Sequence, residues 1–334
     1  MSGLLPEPWS TLLAPAAKLY GMGVAARNRR FDSGHGVVTL PEPVISVGNI
    51  TVGGTGKTPV CRHVLSELRR MGRVPALAMR GYRSKANGSS DEAEEYRDHL
   101  PDLPLAIGPD RVGAIGDLRG QAPFDCVVLD DGFQHRRISR QLDLVLVDAT
   151  RTGLDERLLP SGLLREPARA LNRADAIVVT RSEGFDQSLA DRLEALSGQP
   201  PIAWSRHAWQ GVDVHRNREP VEQLPPDDLA GWKVAIGLGV GNPGPLREAV
   251  VRAGASIVFD LEARDHHRYT ADDISRLVGS GADGILVTGK DWVKIRSRPE
   301  LVGDVPVLVP RLAVDVFSGE EALRDRIRAA VGRS

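Results

Sequence analysis

The sequence predicts an α/β fold, in which a mostly parallel sheet is flanked by helices and is followed by a second, smaller α/β lobe. Short apolar runs alternate with segments of helical spacing along most of the 334 residues, a pattern typical of parallel sheets. One glycine-rich turn joins an apolar run directly to a helical segment. A polar stretch at 210–231, which contains three prolines, separates two series of predicted strands.

The predicted strands define the organisation of the chain. The first series lies at 43–47, 74–79, 104–107, 124–129, 142–147, 176–180 and 201–204. The second series lies at 233–237, 256–260, 284–288 and 305–309. We therefore divide the chain into an N-terminal segment at 1–30, a core at 31–209, a linker at 210–231 and a C-terminal lobe at 232–334.

The N-terminal segment has large apolar residues at close to helical spacing, namely Trp9, Leu12, Leu13, Leu19, Tyr20 and Val24. Basic residues follow at and beyond its end, namely Lys18, Arg27, Arg29 and Arg30. Such a segment suits either a membrane interface, with its cations near anionic headgroups, or a helix packed on its own core. The periodicity alone favours packing on the core.

The glycine-rich turn follows the predicted strand at 43–47 and has the pattern of a phosphate-binding P-loop. Its residues are Thr51, Val52, Gly53, Gly54, Thr55, Gly56, Lys57 and Thr58. Glycines let backbone N–H groups converge on phosphate oxygens, and the N-terminus of the following helix adds partial positive charge. Lys57 can reach the β- and γ-phosphates, and the Thr58 hydroxyl can ligate Mg²⁺. The sequence thus predicts a P-loop NTPase-like core that binds a nucleoside triphosphate, with Thr51 in place of the usual first glycine.

Two adjacent carboxylates, Asp130 and Asp131, follow the predicted strand at 124–129. An acidic residue at the carboxyl end of a strand near a P-loop is the usual carboxylate of an Mg²⁺ site. The string Asp-Asp-Gly is also common in turns, so the P-loop is what favours the metal role. The pattern leaves open which of the two aspartates binds the metal.

Composition excludes several classes of protein. The net charge is −1, whereas a nucleic-acid-binding protein is expected to carry a clear excess of basic residues. Cys61 and Cys126 are too few for a disulfide framework or a zinc site, and we expect reduced core thiols. There is no run of 18 apolar residues and no secretion signal, so we expect neither a membrane span nor export. We also expect no obligate protein partner.

Two glycine-containing strings in the second series are not nucleotide sites. The string 284–290 fits G-x-x-x-x-G-K, but its interior is a β-branched strand and Asp291 replaces the hydroxyl residue. The string 237–241 resembles a dinucleotide fingerprint, yet Asn242 stands where the third glycine belongs. Both are better explained as strand ends and tight turns.

Several separated strings together resemble the tetraacyldisaccharide 4'-kinase family of lipid A biosynthesis. They are 46–59, Arg80-Gly81-Tyr82, 130–135, 159–166, 173–181, Asp265-His266-His267 and Thr288-Gly289-Lys290-Asp291. They occur in order over nearly the whole chain, and the Thr51 variant of the P-loop fits the family as well.

The resemblance implies a membrane-associated kinase that uses ATP and Mg²⁺. The γ-phosphate would move to the 4'-hydroxyl of a lipid-linked (tetraacyl) glucosamine disaccharide 1-phosphate. The enzyme would be peripheral, on the anionic cytoplasmic face of the inner membrane of a Gram-negative-type bacterium. The C-terminal lobe would close a cleft, and the segment 1–30 would face the membrane, which reverses the interpretation from periodicity alone.

The resemblance also implies roles for individual residues. Asp91 corresponds to the family's acidic general base, although Ser90 stands in place of a glycine. His266 would pair with that base, and His267 is the alternative. Arg111 and Arg165 would offset negative charge at the γ-phosphate. Glu166 would join Thr58, Asp130 and Asp131 around the metal.

Three alternatives remain on the sequence alone. A membrane-surface ATPase switch would have an extra lysine early in the P-loop, where this chain has Val52. A GTPase would need an Asn-Lys-x-Asp string, and the nearest candidate, at 288–291, begins with threonine instead of asparagine. A kinase that acts on another small molecule would share the same P-loop.

Overall fold

The structure, a computed structural model, describes residues 11–53, 55–81, 91–216, 219–240, 243–261, 263–264 and 267–332. The chain forms two units. The first comprises Met1–Gly81, Asp102–His207 and Val314–Ser334, and the second comprises Tyr82–Pro101 and Ala208–Ala313. This division cuts the chain more often than the boundaries expected from the sequence. Residues 82–101 group with the second unit, and the last residues of the chain group with the first.

The described strands and helices follow one another in an α/β order. The strands are β1 Val44–Gly48, β2 Pro75–Met79, β3 Leu105–Ile107, β4 Cys126–Asp130, β5 Leu142–Asp148, β6 Ala176–Thr180, β7 Ala203–Arg216, β8 Glu219–Leu224, β9 Lys233–Gly237, β10 Ser256–Leu261, β11 Gly284–Val287 and β12 Val307–Ser318. The helices are α1 Ala14–Asp32, α2 Lys57–Arg70, α3 Asp91–His99, α4 Arg111–Arg119, α5 Gln187–Ser197, α6 Gly244–Arg252, α7 Ala271–Val278, α8 Gly289–Ile295, α9 Pro299–Val302 and α10 Glu320–Val331.

The first unit is built on parallel strands in the order β7-β6-β5-β1-β4-β2-β3. Every residue of β1, β2, β4, β5 and β6 is buried, as expected for strands covered by helices on both faces. The central position of β1 matters most, because the carboxyl ends of parallel strands gather loops at one edge. The P-loop follows β1, and the two aspartates lie at the end of β4.

The second unit contains the parallel strands β10-β9-β11-β12 and the antiparallel hairpin of β7 and β8. Its helix α3 packs against α8. Arg296, just after α8, holds α3 through ion pairs with Asp98 at 2.9 Å and Glu94 at 3.1 Å. These pairs fix the helix whose first residue is Asp91.

All eleven predicted strands are present, but β12 continues beyond its predicted end to Ser318, and the stretch 210–231 contains strand residues that the sequence does not predict. The sequence predicts a linker there, but the structure extends β7 to Arg216 and adds β8. Val212 and Val214 are buried on one face of the hairpin, while Asp213 between them is polar. A short alternation of this kind, followed by a proline, gives a weak strand signal, so the sequence predicts no strand at these residues. The boundary between lobes at 210–231 stays a prediction.

Helix α1 does not have the single apolar face that its periodicity predicts. Val24 and Ala17 are buried, whereas Leu12, Leu19 and Met22 are 68%, 70% and 68% exposed. The apolar residues therefore divide between an inner and an outer side of the helix, and Trp9 lies outside the described residues. No helix within the described ranges is both long and apolar enough to cross a membrane.

Candidate active site

The P-loop connects the end of β1 to the start of α2 and depends on glycine conformations. Gly53 and Gly56 have φ values of +107° and +78°, which residues with a Cβ adopt only with strain. A Cβ at Gly56 would also lie 3.0 Å from Nε2 of His207. The unpaired N–H groups at the start of α2 are the usual binding groups for phosphate. Gly54, another predicted nucleotide-binding residue, lies outside the described residues.

Neighbouring segments brace this loop through its backbone. Val52 N donates to Leu163 O at 2.8 Å, and Arg165 N donates to Ile50 O at 2.8 Å. On the other side, Thr180 Oγ1 donates to Thr55 O at 3.0 Å. The loop is therefore held in shape by residues more than 100 positions away in the sequence.

A ring of polar contacts connects the P-loop with the turn after β4. Lys57 Nζ donates to Asn49 Oδ1 at 3.2 Å and lies 3.5 Å from Asp131 Oδ1. Arg165 then contacts Asp131 Oδ2 at 2.6 Å and Gln134 Oε1 at 3.4 Å. Gln134 Nε2 closes the ring by donating to Asn49 O at 2.8 Å. The structure thus brings together the predicted Lys57, Asp131 and Arg165.

The charge of Asp131 is stabilised by this ring. Burial opposes ionisation of the carboxyl group, but the charges of Lys57 and Arg165 outweigh it and lower the pKa of Asp131 below its ordinary value. Its backbone adopts a left-handed conformation with φ +52°, in the turn that follows β4. The carboxylate of Asp131 is therefore ionised at neutral pH, and its oxygens can bind a cation.

The two adjacent aspartates have different contacts in the structure. Asp130 Oδ1 accepts a hydrogen bond from Cys61 Sγ at 3.7 Å, in the packing between β4 and α2. The backbone carbonyl of Asp130 accepts from Arg111 NH2 at 2.9 Å. Burial lowers the pKa of this arginine, with Asp131 and Asp130 opposing the shift. The Arg111 charge is thereby fixed beside the turn that carries Asp131.

Glu166 is placed differently from the expectation that it joins the metal ligands. Its carboxylate is completely buried and lies 2.9 Å from Arg173 NH1 and 3.5 Å from Arg27 NH2. Asn28 Nδ2 donates to it at 2.7 Å. These contacts join α1 to the body of the unit and surround the Glu166 carboxylate with two arginines and an amide. The two neighbours in sequence therefore differ, since Arg165 contacts Asp131.

The remaining groups suit a nucleoside triphosphate with a magnesium ion. Thr55 Oγ1 is buried in the loop without a hydrogen-bond partner among the described residues, and a phosphate oxygen would supply one. Thr58 is the second residue of α2, where a hydroxyl is available to Mg²⁺ in P-loops. The described part of the chain holds no cluster of three or more His, Cys, Asp or Glu side chains suited to a cation. Mg²⁺ beside phosphates needs only one or two carboxylates.

The predicted base and its partner belong to the second unit. Asp91 is the first residue of α3, and its side chain is not among the described groups. His266 lies outside the described residues. Its neighbour His267 is half-buried, and its Nε2 lies 3.0 Å from Asp273 Oδ2, next to the N-terminal cap of α7. The roles of Asp91 and His266 remain predictions.

Sequence reasoning missed four residues that shape the site, namely Asn49, Gln134, Thr180 and His207. The first three lie inside strings quoted for the family resemblance, so their presence is visible in the sequence but their contacts are not. His207 gives no sequence signal. Burial, together with the charge of Arg181, holds the pKa of His207 at about 4, so a neutral imidazole packs against Gly56.

Comparisons with known proteins agree on one family. The family model described as LpxK, Tetraacyldisaccharide-1-P 4'-kinase, matches residues 9–332. A tetraacyldisaccharide 4'-kinase of Geobacter sulfurreducens is 36% identical over 307 residues, covering 86% of this chain and 84% of the relative. One from Anaeromyxobacter sp. is 32% identical and covers 97% and 93%. A solved structure of LpxK from Aquifex aeolicus, described as an "apo" form in complex with ATP, is 27% identical with a TM-score of 0.72, covering 97% of this chain and 99% of that one.

Proposed function

Because this chain belongs to the tetraacyldisaccharide-1-P 4'-kinase family, it is an ATP-dependent kinase of lipid A biosynthesis, and we propose how its residues perform the transfer. The γ-phosphate of ATP is transferred to the 4'-hydroxyl of an acylated glucosamine disaccharide 1-phosphate. The observation that carries the assignment of the site is the ring of contacts that joins Lys57, Asp131 and Arg165 at the P-loop.

The cations at this edge of the sheet match a polyphosphate. Lys57 and Arg165 share a single anionic partner, Asp131, and the buried Arg111 lies beside the same turn. Phosphoryl transfer spreads negative charge over the oxygens of the transferring group, so preorganised cations stabilise the transition state. In the proposed mechanism, Lys57 exchanges part of its contact with Asp131 for phosphate oxygens, while Arg165 and Arg111 offset the developing charge.

When bound, Mg²⁺ would neutralise part of the negative charge of the phosphates. Thr58 and Asp131 are the residues that we assign to hold it. The Asp130 carboxylate packs against Cys61, and Glu166 is enclosed by cations from α1 and from Arg173. This assignment selects Asp131 from the two aspartates that the sequence left open.

Replacing Asp131 with asparagine is expected to raise the Mg²⁺ concentration needed for half-maximal activity several-fold, because a neutral amide oxygen is a poorer ligand for a hard cation. The measurement is initial rate against Mg²⁺ at saturating ATP. The matched variant is Glu166→Gln, which should leave the Mg²⁺ midpoint unchanged but destabilise the fold by about 1–3 kcal/mol through weaker buried contacts. An unchanged midpoint in Asp131→Asn, or a raised one in Glu166→Gln, contradicts the assignment.

For the acceptor hydroxyl we propose Asp91 as general base, with His266 fixing its rotamer and tuning its pKa. A sugar hydroxyl is a weak nucleophile at neutral pH, and a carboxylate within hydrogen-bond distance can accept its proton during attack. The support is the correspondence of Ser90-Asp91-Glu92 and Asp265-His266-His267 with the family's strings. The proton passes from the 4'-hydroxyl to the carboxylate as the new O–P bond forms and ADP leaves.

We propose that α1 holds the enzyme on an anionic membrane surface where its lipid substrate resides. Leu19 and Met22 are exposed on the helix, and their spacing of three residues puts them on one stripe. Leu12, which is also exposed, lies two residues before the helix begins. Lys18 and Arg30 are exposed on the same helix and can contact anionic headgroups. An exposed apolar stripe with flanking cations is typical of interfacial helices.

Replacing both Leu19 and Met22 with serine is expected to weaken binding to anionic vesicles by about tenfold or more, since each buried apolar side chain contributes on the order of 1–2 kcal/mol. Co-sedimentation with vesicles measures the effect, and an unchanged melting temperature verifies folding. Both side chains point outward, so the fold should be retained. Binding equal to that of the unmodified chain would exclude the outer side of α1 as the membrane contact.

The alternative of an ATPase switch is tested by the dependence of ADP release on the acceptor. A kinase should release ADP slowly without the disaccharide 1-phosphate lipid and much faster in detergent micelles that contain it. A switch would hydrolyse ATP at a rate set by vesicles alone. Equal rates with and without acceptor would contradict the proposed transfer.

A further inference from the structure

Helix α1 is attached to the first unit mainly through polar contacts. Only Ala17 and Val24 are fully buried on a helix of 19 residues. Tyr20 OH donates to the backbone carbonyl of Arg165 at 2.9 Å. Asn28 Nδ2 donates to the buried carboxylate of Glu166 at 2.7 Å. These bonds set the position of the helix more specifically than its small apolar contact does.

The residues that these bonds hold belong to the segment that braces the P-loop. The backbone of Arg165 donates to Ile50, and Leu163 accepts from Val52. The side chain of Arg165 contacts Asp131, which in turn faces Lys57. One short chain of contacts thus runs from α1, through 163–166, to the groups that face the phosphates.

The opposite side of the same helix carries the exposed Leu19 and Met22, and the exposed Leu12 lies just before its first residue. A helix is stiff over this length, so its inner contacts and its exposed outer side chains move together. When the inner contacts are made, Leu19 and Met22 face outward on one surface. The helix therefore presents its exposed side chains to a lipid surface in the same position in which Tyr20 OH donates its hydrogen bond to the carbonyl of Arg165.

We propose that α1 couples membrane contact to the ATP site, with Tyr20 and Asn28 as positioning residues for the segment 163–166. The inference rests on the membrane association proposed above and adds an energetic connection to it. Lipid contact by the outer side stabilises the docked helix, which holds Arg165 and the P-loop in place. By reciprocity, ATP binding strengthens membrane binding by the same factor.

The test measures the dissociation constant of a non-hydrolysable ATP analogue with Mg²⁺, with and without vesicles. The vesicles contain phosphatidylglycerol and phosphatidylethanolamine and no acceptor lipid. For the unmodified chain, we expect vesicles to tighten analogue binding about fivefold, at the lower end of typical couplings. Tyr20→Phe should retain vesicle binding, because the ring stays on the inner side, but should lose this tightening.

The matched control is Ser33→Ala. Ser33 Oγ donates to Arg30 O at 2.8 Å just beyond the end of α1, so this variant also loses one hydroxyl-to-carbonyl bond, but one that does not reach Arg165. It should show the full tightening. The pair Leu19→Ser with Met22→Ser should bind the analogue normally without vesicles and show no tightening at the same lipid concentration.

Separate readouts distinguish the two proposals. If the unmodified chain binds vesicles but the analogue's dissociation constant does not change, the coupling is overturned while the membrane association stands. If Tyr20→Phe retains the full tightening, Tyr20 is not the positioning residue. If the unmodified chain does not bind vesicles, the membrane association fails and the coupling fails with it.

Discussion

Replacing Lys57 with alanine is expected to lower kcat by about 100-fold or more while the fold remains intact. The ammonium group lies at the start of α2, 3.5 Å from Asp131 and 3.2 Å from Asn49, where it acts on charge rather than on packing. Loss of one well-placed charge contact to a transition state typically has an effect of about 100- to 1000-fold. Steady-state rates with ATP and the acceptor lipid measure it.

The same ring of contacts explains why the fold should survive this change. Asp131 retains its contact with Arg165 at 2.6 Å, so no isolated charge is left in the site. The control is Lys233→Ala, because Lys233 is an exposed lysine at the start of β9. It should have normal activity. Near-normal turnover in Lys57→Ala, with an unchanged melting temperature, would contradict the P-loop assignment.

Replacing Asp91 with alanine is expected to lower kcat by roughly 100-fold or more, with little change in ATP binding. The reason is chemical, since general bases typically contribute about 10²- to 10⁴-fold, and Asp91 is proposed to act on the acceptor and not on the nucleotide. Single-turnover rates and the dissociation constant of an ATP analogue separate the two effects. Asp98→Ala, a change on the same helix at a residue paired with Arg296, controls for loss of α3 packing.

The pairing of Asp91 with His266 is tested by a double-mutant cycle. If the two act as one unit, adding His266→Ala to Asp91→Ala should have a much smaller effect than His266→Ala alone. Additive effects would assign them independent roles, and the same cycle with His267 tests the alternative. Full activity of Asp91→Ala would exclude it as the base and leave Asp130, Asp131 and Asp265 as candidates.

The sequence predicted the sheet well because most of its strands are buried on both faces. Strands such as β1, β4 and β6 are mostly apolar runs of five residues bounded by turn residues, a length and composition that favour a buried strand. Strand β8 was missed because its segment is polar and contains a proline, and Glu222 and Gln223 remain exposed beside β7. A period of two residues over so short a stretch carries little information.

Within the site, the sequence predicted some residues of the ring but did not predict which groups their side chains contact. Lys57 and the pair Asp130 and Asp131 were singled out because the P-loop and the end of a neighbouring strand are local patterns, but the sequence did not choose between the two aspartates. The family resemblance implied a metal role for Glu166 and a phosphate role for Arg165, and the two side chains contact different groups. Adjacency in the sequence does not determine which groups each of two neighbouring side chains contacts. The position of α1 in the structure shows that Glu166 contacts this helix.

The two sides of α1 illustrate the same limit. Periodicity predicts one apolar face, whereas the helix needs one side for the protein and another that remains exposed. Small residues such as Ala17 and hydrogen bonds from Tyr20 and Asn28 supply the inner side. Because those contacts are polar and distant in sequence, no pattern of large apolar residues could reveal them.

The central claim is the transfer of the γ-phosphate of ATP to the 4'-hydroxyl of an acylated disaccharide 1-phosphate. The most direct measurement incubates the chain with γ-labelled ATP, Mg²⁺ and this lipid in detergent micelles, then locates the label by fragmenting the product in a mass spectrometer. We predict a bisphosphorylated lipid with the label on the 4' oxygen of the distal sugar, and none with Lys57→Ala. Label found only in inorganic phosphate, or at another position of the lipid, would contradict the claim.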